Sequence, residues 1–227
     1  MPPDLLSAAM IIARKDLAIE FRTRSAFFSA VVFSLLAIAI FYFAFDPTAV
    51  ATADLAPGVL WVTFAFGGLL GLHRSFGVEE AEGAMDALLS SPIPRESIFL
   101  GKAAANLVFV LAVQAIAIPG VILFYNVGGG MVWLEVAGVT VLAAIGMVAV
   151  GTLFSSVVVN TRLAELLLPL LALPFFVPIV TSAAQATLQL LSGHGTTPAA
   201  NWLKLLAAYD LVFVAACTWI YPHSLDA

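Results

Sequence analysis

Residues 25–45 read SAFFSAVVFSLLAIAIFYFAF, a run with no charged side chain. As a helix rising ~1.5 Å per residue, that run reaches about 30 Å, the thickness of a bilayer's hydrocarbon core. A barrel strand would need only ~9–11 residues of alternating polarity, and this run does not alternate. Moving outward, Asp46-Pro47 ends it and the same pattern recurs. A second apolar run covers about 55–74 and closes at His73-Arg74. A third covers 98–125 and stops at Asn126 and the Gly128-Gly129-Gly130 turn. The remaining three cover about 131–159, 163–181 and 202–221. The expectation is an all-α integral membrane protein with six transmembrane helices, forming a single transmembrane domain over 1–227.

Composition agrees with that reading. Apolar residues make up 62% of the 227 and charged residues 10%, with a mean hydropathy of +1.07. Soluble domains carry roughly 45–50% apolar and ~25% charged residues, so much of this surface is built for something other than water. A net charge of −5 gives no basic footprint for nucleic acid. Cys217 is the only cysteine, which excludes an internal disulfide and a cysteine cluster for metal. Its place in a late apolar run fits a small buried hydrophobe. Residues 1–24 hold Asp4, Arg14, Lys15, Asp16, Glu20, Arg22 and Arg24, which does not fit a cleaved signal peptide.

Orientation follows from Lys and Arg. With the N-terminus cytoplasmic, the inner segments hold Arg14, Lys15, Arg22, Arg24, Arg74, Arg95, Lys102 and Arg162, and the outer ones only Lys204. Both termini are therefore expected inside. Residues 4–22 form a different kind of helix. Leu6, Met10, Ala13, Leu17 and Phe21 recur at helical spacing, with Lys15 and Arg22 opposite and Asp16 and Glu20 on the flank. That pattern fits an interfacial helix against membrane lipids; packing on a partner is the other reading.

Catalytic devices are missing from the sequence. Gly101-Lys102 lacks the first glycine and the Ser/Thr of a P-loop, since Glu96 and Ala103 stand there. Neither G-x-S-x-G nor H-E-x-x-H occurs. His73, His194 and His223 fall on both sides of the membrane in this topology. His194, in the outer loop Ser192-Gly193-His194-Gly195, could offer an axial nitrogen to heme iron, although a lone loop histidine is more simply solvated.

Charges inside spans are costly and count as candidates for function. Asp210, midway along the sixth run, is one, expected in the interior; a carboxyl bonded to neighbouring helices explains it equally well. Glu165 lies three residues after Arg162, so the two share a helix face and can pair. Pro169, Pro174 and Pro178 crowd the fifth span and predict a bent helix. Gly67-x-x-x-Gly71 permits close helix contact.

The polar loop between the second and third spans carries the most information. Glu79, Glu82 and Asp86 share one helical face, and Met85, Leu88 and Leu89 a neighbouring one. Ser91-Pro92-Ile93-Pro94 stops that short helix, because a residue before proline is pushed away from helical geometry. A helix at 79–91 with an acidic face and an apolar face can dock a cytoplasmic partner; an acidic solvated loop is the plainer reading.

Several of these stretches occur together in one family. Ala56-Pro57-Gly58-Val59-Leu60-Trp61-Val62, His73-Arg74-Ser75-Phe76, Glu79-Glu80, Glu82-Gly83, Asp86 and Leu88-Leu89-Ser90-Ser91-Pro92-Ile93-Pro94 follow in order. The combination resembles the heme exporter protein B family, the permease subunit of the cytochrome c maturation ABC transporter. Asp86 departs from an expected glutamate, and His73 also departs from the pattern. The resemblance implies an ABC-2-type permease in the bacterial cytoplasmic (inner) membrane, with an N-terminal interfacial helix. It implies an ABC ATP-binding subunit meeting the helix at 79–91, so that ATP sits on that partner and this chain holds no cofactor of its own. It further implies a heme-handling membrane subunit, a small membrane subunit and, through the complex, a periplasmic heme chaperone. Heme is then the transported substrate, or motion here releases the loaded chaperone. Trp61, Trp133, Trp202 and Trp219 are dispersed rather than gathered in a tryptophan-rich heme motif, which favours the mechanical role. An ABC-2-type permease for another lipid or small molecule would share this layout. An intramembrane enzyme would need a nucleophile or metal constellation that the sequence does not supply.

Overall fold

The computed structural model describes residues 4–45, 52–72, 75–76, 88, 90–128, 130–159, 161, 163–193 and 196–224. Its long helices run α1 Leu5–Thr23, α2 Ser25–Ala44, α3 Thr52–Leu72, α4 Arg95–Tyr125, α5 Val132–Val158, α6 Ala164–Leu191 and α7 Thr196–Ser224. From α2 onward there are six helices long and apolar enough to cross a membrane. Large apolar side chains stand outward on them, among them Phe43, Leu123 and Leu211, each at least three-quarters exposed. Surface of that kind belongs against lipid rather than water. The chain is a multi-pass, all-helical membrane protein.

Helices α3 and α5 form the centre, with 72% and 67% of their spanning windows buried against 17% for α7. Small residues explain the central place of α5: Ala143, Ala144, Gly146, Ala149 and Gly151 are all buried. Without lipid-excluding hydrophobic drive, helices associate where small side chains let backbones approach. On α3, an added Cβ at Gly67 would meet Ser34 Oγ of α2 at 2.8 Å, while at Gly71 it would overlap the Phe109 ring of α4. The two glycines thus serve two different neighbours.

Two helices exceed their apolar runs. Helix α6 continues ten residues past 181, to Leu191. Thr181-Ser182-Ala183-Ala184-Gln185 lowers hydropathy there, but alanine and glutamine are good helix formers. Helix α7 begins at Thr196 instead of near 202, with Pro198 in its first turn, where a missing N–H breaks no intrahelical bond. Helix α6 remains continuous through Pro169, Pro174 and Pro178.

Helix α1 packs along α4. Its expected single stripe is divided: Leu6, Met10 and Phe21 are exposed, while Ala13 is buried with Ala8, Ala9 and Ile12. Gly101 is the cause. A Cβ there would lie 2.7 Å from the Ala9 carbonyl oxygen and from Ile12 Cβ, so only glycine lets the α1 backbone settle on α4. Leu6, Met10, Ile11 and Phe21 remain as an outward apolar face. One residue, Arg24, joins α1 to α2, in the left-handed region at φ 53° and ψ −5°.

Candidate functional site at the exit of the second span

Helix α4 has 31 residues, about 46 Å at ~1.5 Å each, some 15 Å more than a bilayer core requires. Its first turns therefore project beyond the hydrocarbon on the face where α1 lies. Lys102 stands on the second turn of this extension and is completely buried. A buried ammonium persists only when paired and hydrogen-bonded. Its Nζ donates to Asp16 Oδ2 of α1 at 3.2 Å and to the Ser75 carbonyl at 2.5 Å, and lies 4.6 Å from the centre of the Phe76 ring. Asp16 also pairs with Lys15 at 2.9 Å.

Around this ammonium the elements are tied by polar contacts. Asn106, one turn further along α4, donates from Nδ2 to Ser75 Oγ and to Thr152 Oγ1 of α5, both at 2.9 Å. Ser155 Oγ donates to the Leu72 carbonyl at 2.8 Å, taking up an acceptor that the end of α3 leaves open. Phe76 and Phe99 both lie against Tyr221 of α7, at ring-centre distances of 6.1 and 5.5 Å. The chain leaving α3 is thereby fastened to α1, α4, α5 and α7 at once. Each bond is modest in net energy, but a satisfied buried network fixes one arrangement.

Of the residues proposed from sequence to dock a partner, only Leu88 is described. It is half buried and packed against the core, and its carbonyl accepts from Ser91 Oγ at 2.6 Å. Glu79, Glu82, Met85, Asp86 and Leu89 lie outside the described residues, as do His73, Arg74, Arg162 and His194. After Ser91, Pro94 at φ −59° and ψ 133° opens α4.

The intramembrane candidates are placed apart. Asp210 is 5% exposed on α7, its Oδ1 pressed to Gly146 of α5 so closely that a Cβ would overlap it. Neither carboxyl oxygen has a hydrogen-bond partner among the described residues. Glu165 is exposed on the first turn of α6. Trp61, fully buried, donates from Nε1 to Thr187 Oγ1 at 3.0 Å and clamps α3 to α6. The His223 Nδ1 faces the Trp219 carbonyl at 3.0 Å, to which it donates in the Nδ1-protonated tautomer. Cys217 is buried. Among the described residues no group of three His, Cys, Asp or Glu side chains could hold a metal ion.

In the sequence Lys102 stands out only as part of a failed P-loop and as one inner positive charge. A stronger signal was present: a lysine seven residues into an apolar helix has to be partnered. What it could not supply was the partner, since Asp16 is 86 residues away in sequence.

Comparison with known proteins fits this architecture. The family model for CcmB protein matches residues 7–227. A heme exporter protein B of Rhodobacter capsulatus is 30% identical over 172 residues, 75% of this chain and 78% of the relative. That of Paracoccus denitrificans is 30% identical over 202 residues, 88% and 90% of the two chains, and that of Pseudomonas aeruginosa is 29% identical over 220, covering 89% and 90%. With the family model spanning nearly the whole chain and relatives matched across most of their own length, this protein belongs to the CcmB protein family.

Proposed function

We propose that this chain is the membrane-spanning permease subunit of an ATP-driven ABC transporter complex for cytochrome c maturation, supporting heme export or heme delivery to a periplasmic chaperone. The names of the relatives, heme exporter protein B, support the heme assignment. In this reading the protein is a transporter subunit in the bacterial inner membrane with both termini cytoplasmic. ATP is bound and hydrolysed on a separate subunit. A heme-handling membrane subunit and a small membrane subunit complete the complex.

The observation that carries the mechanical part is the network around Lys102. A permease without a nucleotide site has to receive work through contact, and the contact needs a stiff path into the bundle. Residues 79–91 are the proposed contact, with Glu79, Glu82 and Asp86 facing basic groups of the ATP-binding subunit and Met85 and Leu89 supplying apolar area. Fully burying one such side chain stabilises by ~1.5–3 kcal/mol, whereas an exposed ion pair gives ~0–1 kcal/mol. Leu88 already spends part of its surface on the chain's own core, so Met85 and Leu89 are left as the anchors. Displacement of this segment would reach Ser75 and Phe76, and through Lys102 and Asn106 the helices α1, α4 and α5.

The test replaces Met85 and Leu89 with Asp, and separately Glu79, Glu82 and Asp86 with Lys, in the full complex. Membrane insertion, copurification of the ATPase and cytochrome c maturation are measured. Loss of the ATPase from the apolar variant, with a weaker effect from the charge-reversed one, is expected. Unchanged copurification and maturation in both would remove this segment as the coupling element.

A further inference from the structure

The joint between α1 and α2 is made by an arginine where the backbone favours glycine. Arg24 has φ 53°, in the left-handed region that residues with a Cβ adopt uncommonly. Its N–H closes α1 on the Glu20 carbonyl at 2.8 Å, and its Nε donates to the Phe21 carbonyl at 3.0 Å. Glycine would allow the same turn without strain, so the retained side chain points to a use. Its guanidinium has five N–H donors in a fork that fits phosphate.

Beside Arg24 lies a cavity of about 270 Å³ between the joint and α4. Its walls are almost entirely apolar and aromatic: Phe21, Phe27, Phe28, Val108, Phe109 and Ala112. Phe27 stands edge-on to Phe109 at 6.1 Å and closes the inner wall. Phe21, Phe28 and Val108 are exposed on their outer sides, so the cavity opens toward the bilayer. Glu20 also stands at the rim, but its Oε1 accepts the Phe27 N–H at 3.1 Å and is engaged in starting α2. Arg24 is the cationic side chain in the cavity's lining.

We infer that this cavity is a binding site for an anionic phospholipid, with its phosphate on the Arg24 guanidinium and one acyl chain between the joint and α4. The depth is right for such a molecule. Helix α1 lies at the membrane surface, α2 descends from it, and the aromatic walls begin one turn below the arginine. A free phosphate would use the guanidinium alone, and a neutral phospholipid would lack the negative charge that distinguishes this site from ordinary annular contact. A bound lipid would also brace α1, whose direct contact with α2 is slight.

The experiment titrates the purified full-length protein in neutral detergent with phosphatidylglycerol or phosphatidylcholine and counts retained lipid by native mass spectrometry. Wild type is expected to favour phosphatidylglycerol about fivefold, the ratio that one basic contact to an anionic headgroup gives. Arg24→Gly should lose that preference while melting no lower than wild type without lipid, because glycine removes the left-handed strain. Arg24→Lys should keep most of the preference. Val108→Trp, which fills the cavity from α4 and leaves the joint intact, should lower retention of both lipids. The inference is overturned if Arg24→Gly keeps the preference, if Val108→Trp retains both lipids as wild type does, or if inorganic phosphate displaces phosphatidylglycerol at equal concentration.

Discussion

Lys102 and Asp16 occupy positions that hydropathy alone would leave unexplained, one in the first turns of a spanning helix and one on the flank of an interfacial one. Their pairing at 3.2 Å, with the lysine fully buried, turns two awkward charges into a clamp. Its energetic sense is asymmetric, since removing one partner of a buried pair costs ~3–5 kcal/mol while removing both is often near neutral. Asp16→Ala is therefore expected to lower the melting temperature in detergent by roughly 6–20 °C, converting that cost at ~2–4 °C per kcal/mol. The pair Asp16→Ala with Lys102→Met should regain at least half of the loss. Equal melting of wild type and Asp16→Ala in a thermal aggregation assay would show that the clamp contributes nothing. A double variant no better than the single would assign the loss to Asp16's contact with Lys15 instead. Asp210 differs: its carboxyl lies so near Gly146 that a Cβ there would overlap it, and it has no hydrogen-bond partner among the described residues, so interior placement is reached by close packing on a glycine.

At the scale of the helix, α1 depends on a single glycine. With Gly101 on α4, the Ala9 carbonyl and the Ile12 side chain sit where any Cβ would intrude. Gly101→Ala should lift α1 and cost ~1–3 kcal/mol by overpacking. Amide hydrogen exchange over 5–23 should then rise about tenfold, while the buried centres of α3 and α5 stay as protected as before. Uniform acceleration throughout the bundle, or none in α1, would refute this division. The existence of α1 and of the six spans was legible because apolar length and helical spacing are local properties. The ends of α6 and α7 were less so, since an apolar run marks hydrocarbon and a helix continues wherever alanine and glutamine permit. Which face α1 buries was not legible at all, because Ala8, Ala9 and Ala13 become a packing face only opposite Gly101. The same holds for the site: Ser75 and Phe76 were visible as part of a motif, but their convergence with Lys102, Asn106 and Thr152 is a tertiary fact.

For the whole molecule, the open quantity is direction across the membrane. Six spans place α1, the exit of α3, the start of α4 and the end of α7 on one face. The turn at 126–131 and the start of α7 lie on the other. Lys and Arg divide eight to one in favour of the first face, and positive residues near span ends are retained on the cytoplasmic side. The proposed coupling requires the same orientation, since an element receiving force from a cytoplasmic ATPase would have to sit on the cytoplasmic face. Single cysteines at Gly128 and Thr197, in a Cys217→Ala background, are expected to react with a membrane-impermeant maleimide in intact spheroplasts. A cysteine at Ser90, exposed before α4, should react only after the membrane is opened. Cys217 is 3% exposed, so its replacement removes a weakly reactive background without touching either loop. The reverse pattern would invert the topology, put residues 79–91 beyond reach of ATP, and end the coupling mechanism together with the orientation. Labelling of all three positions from outside would instead mean that an odd number of crossings separates Ser90 from Gly128 no longer, contrary to the continuous helix Arg95–Tyr125 lying across the bilayer.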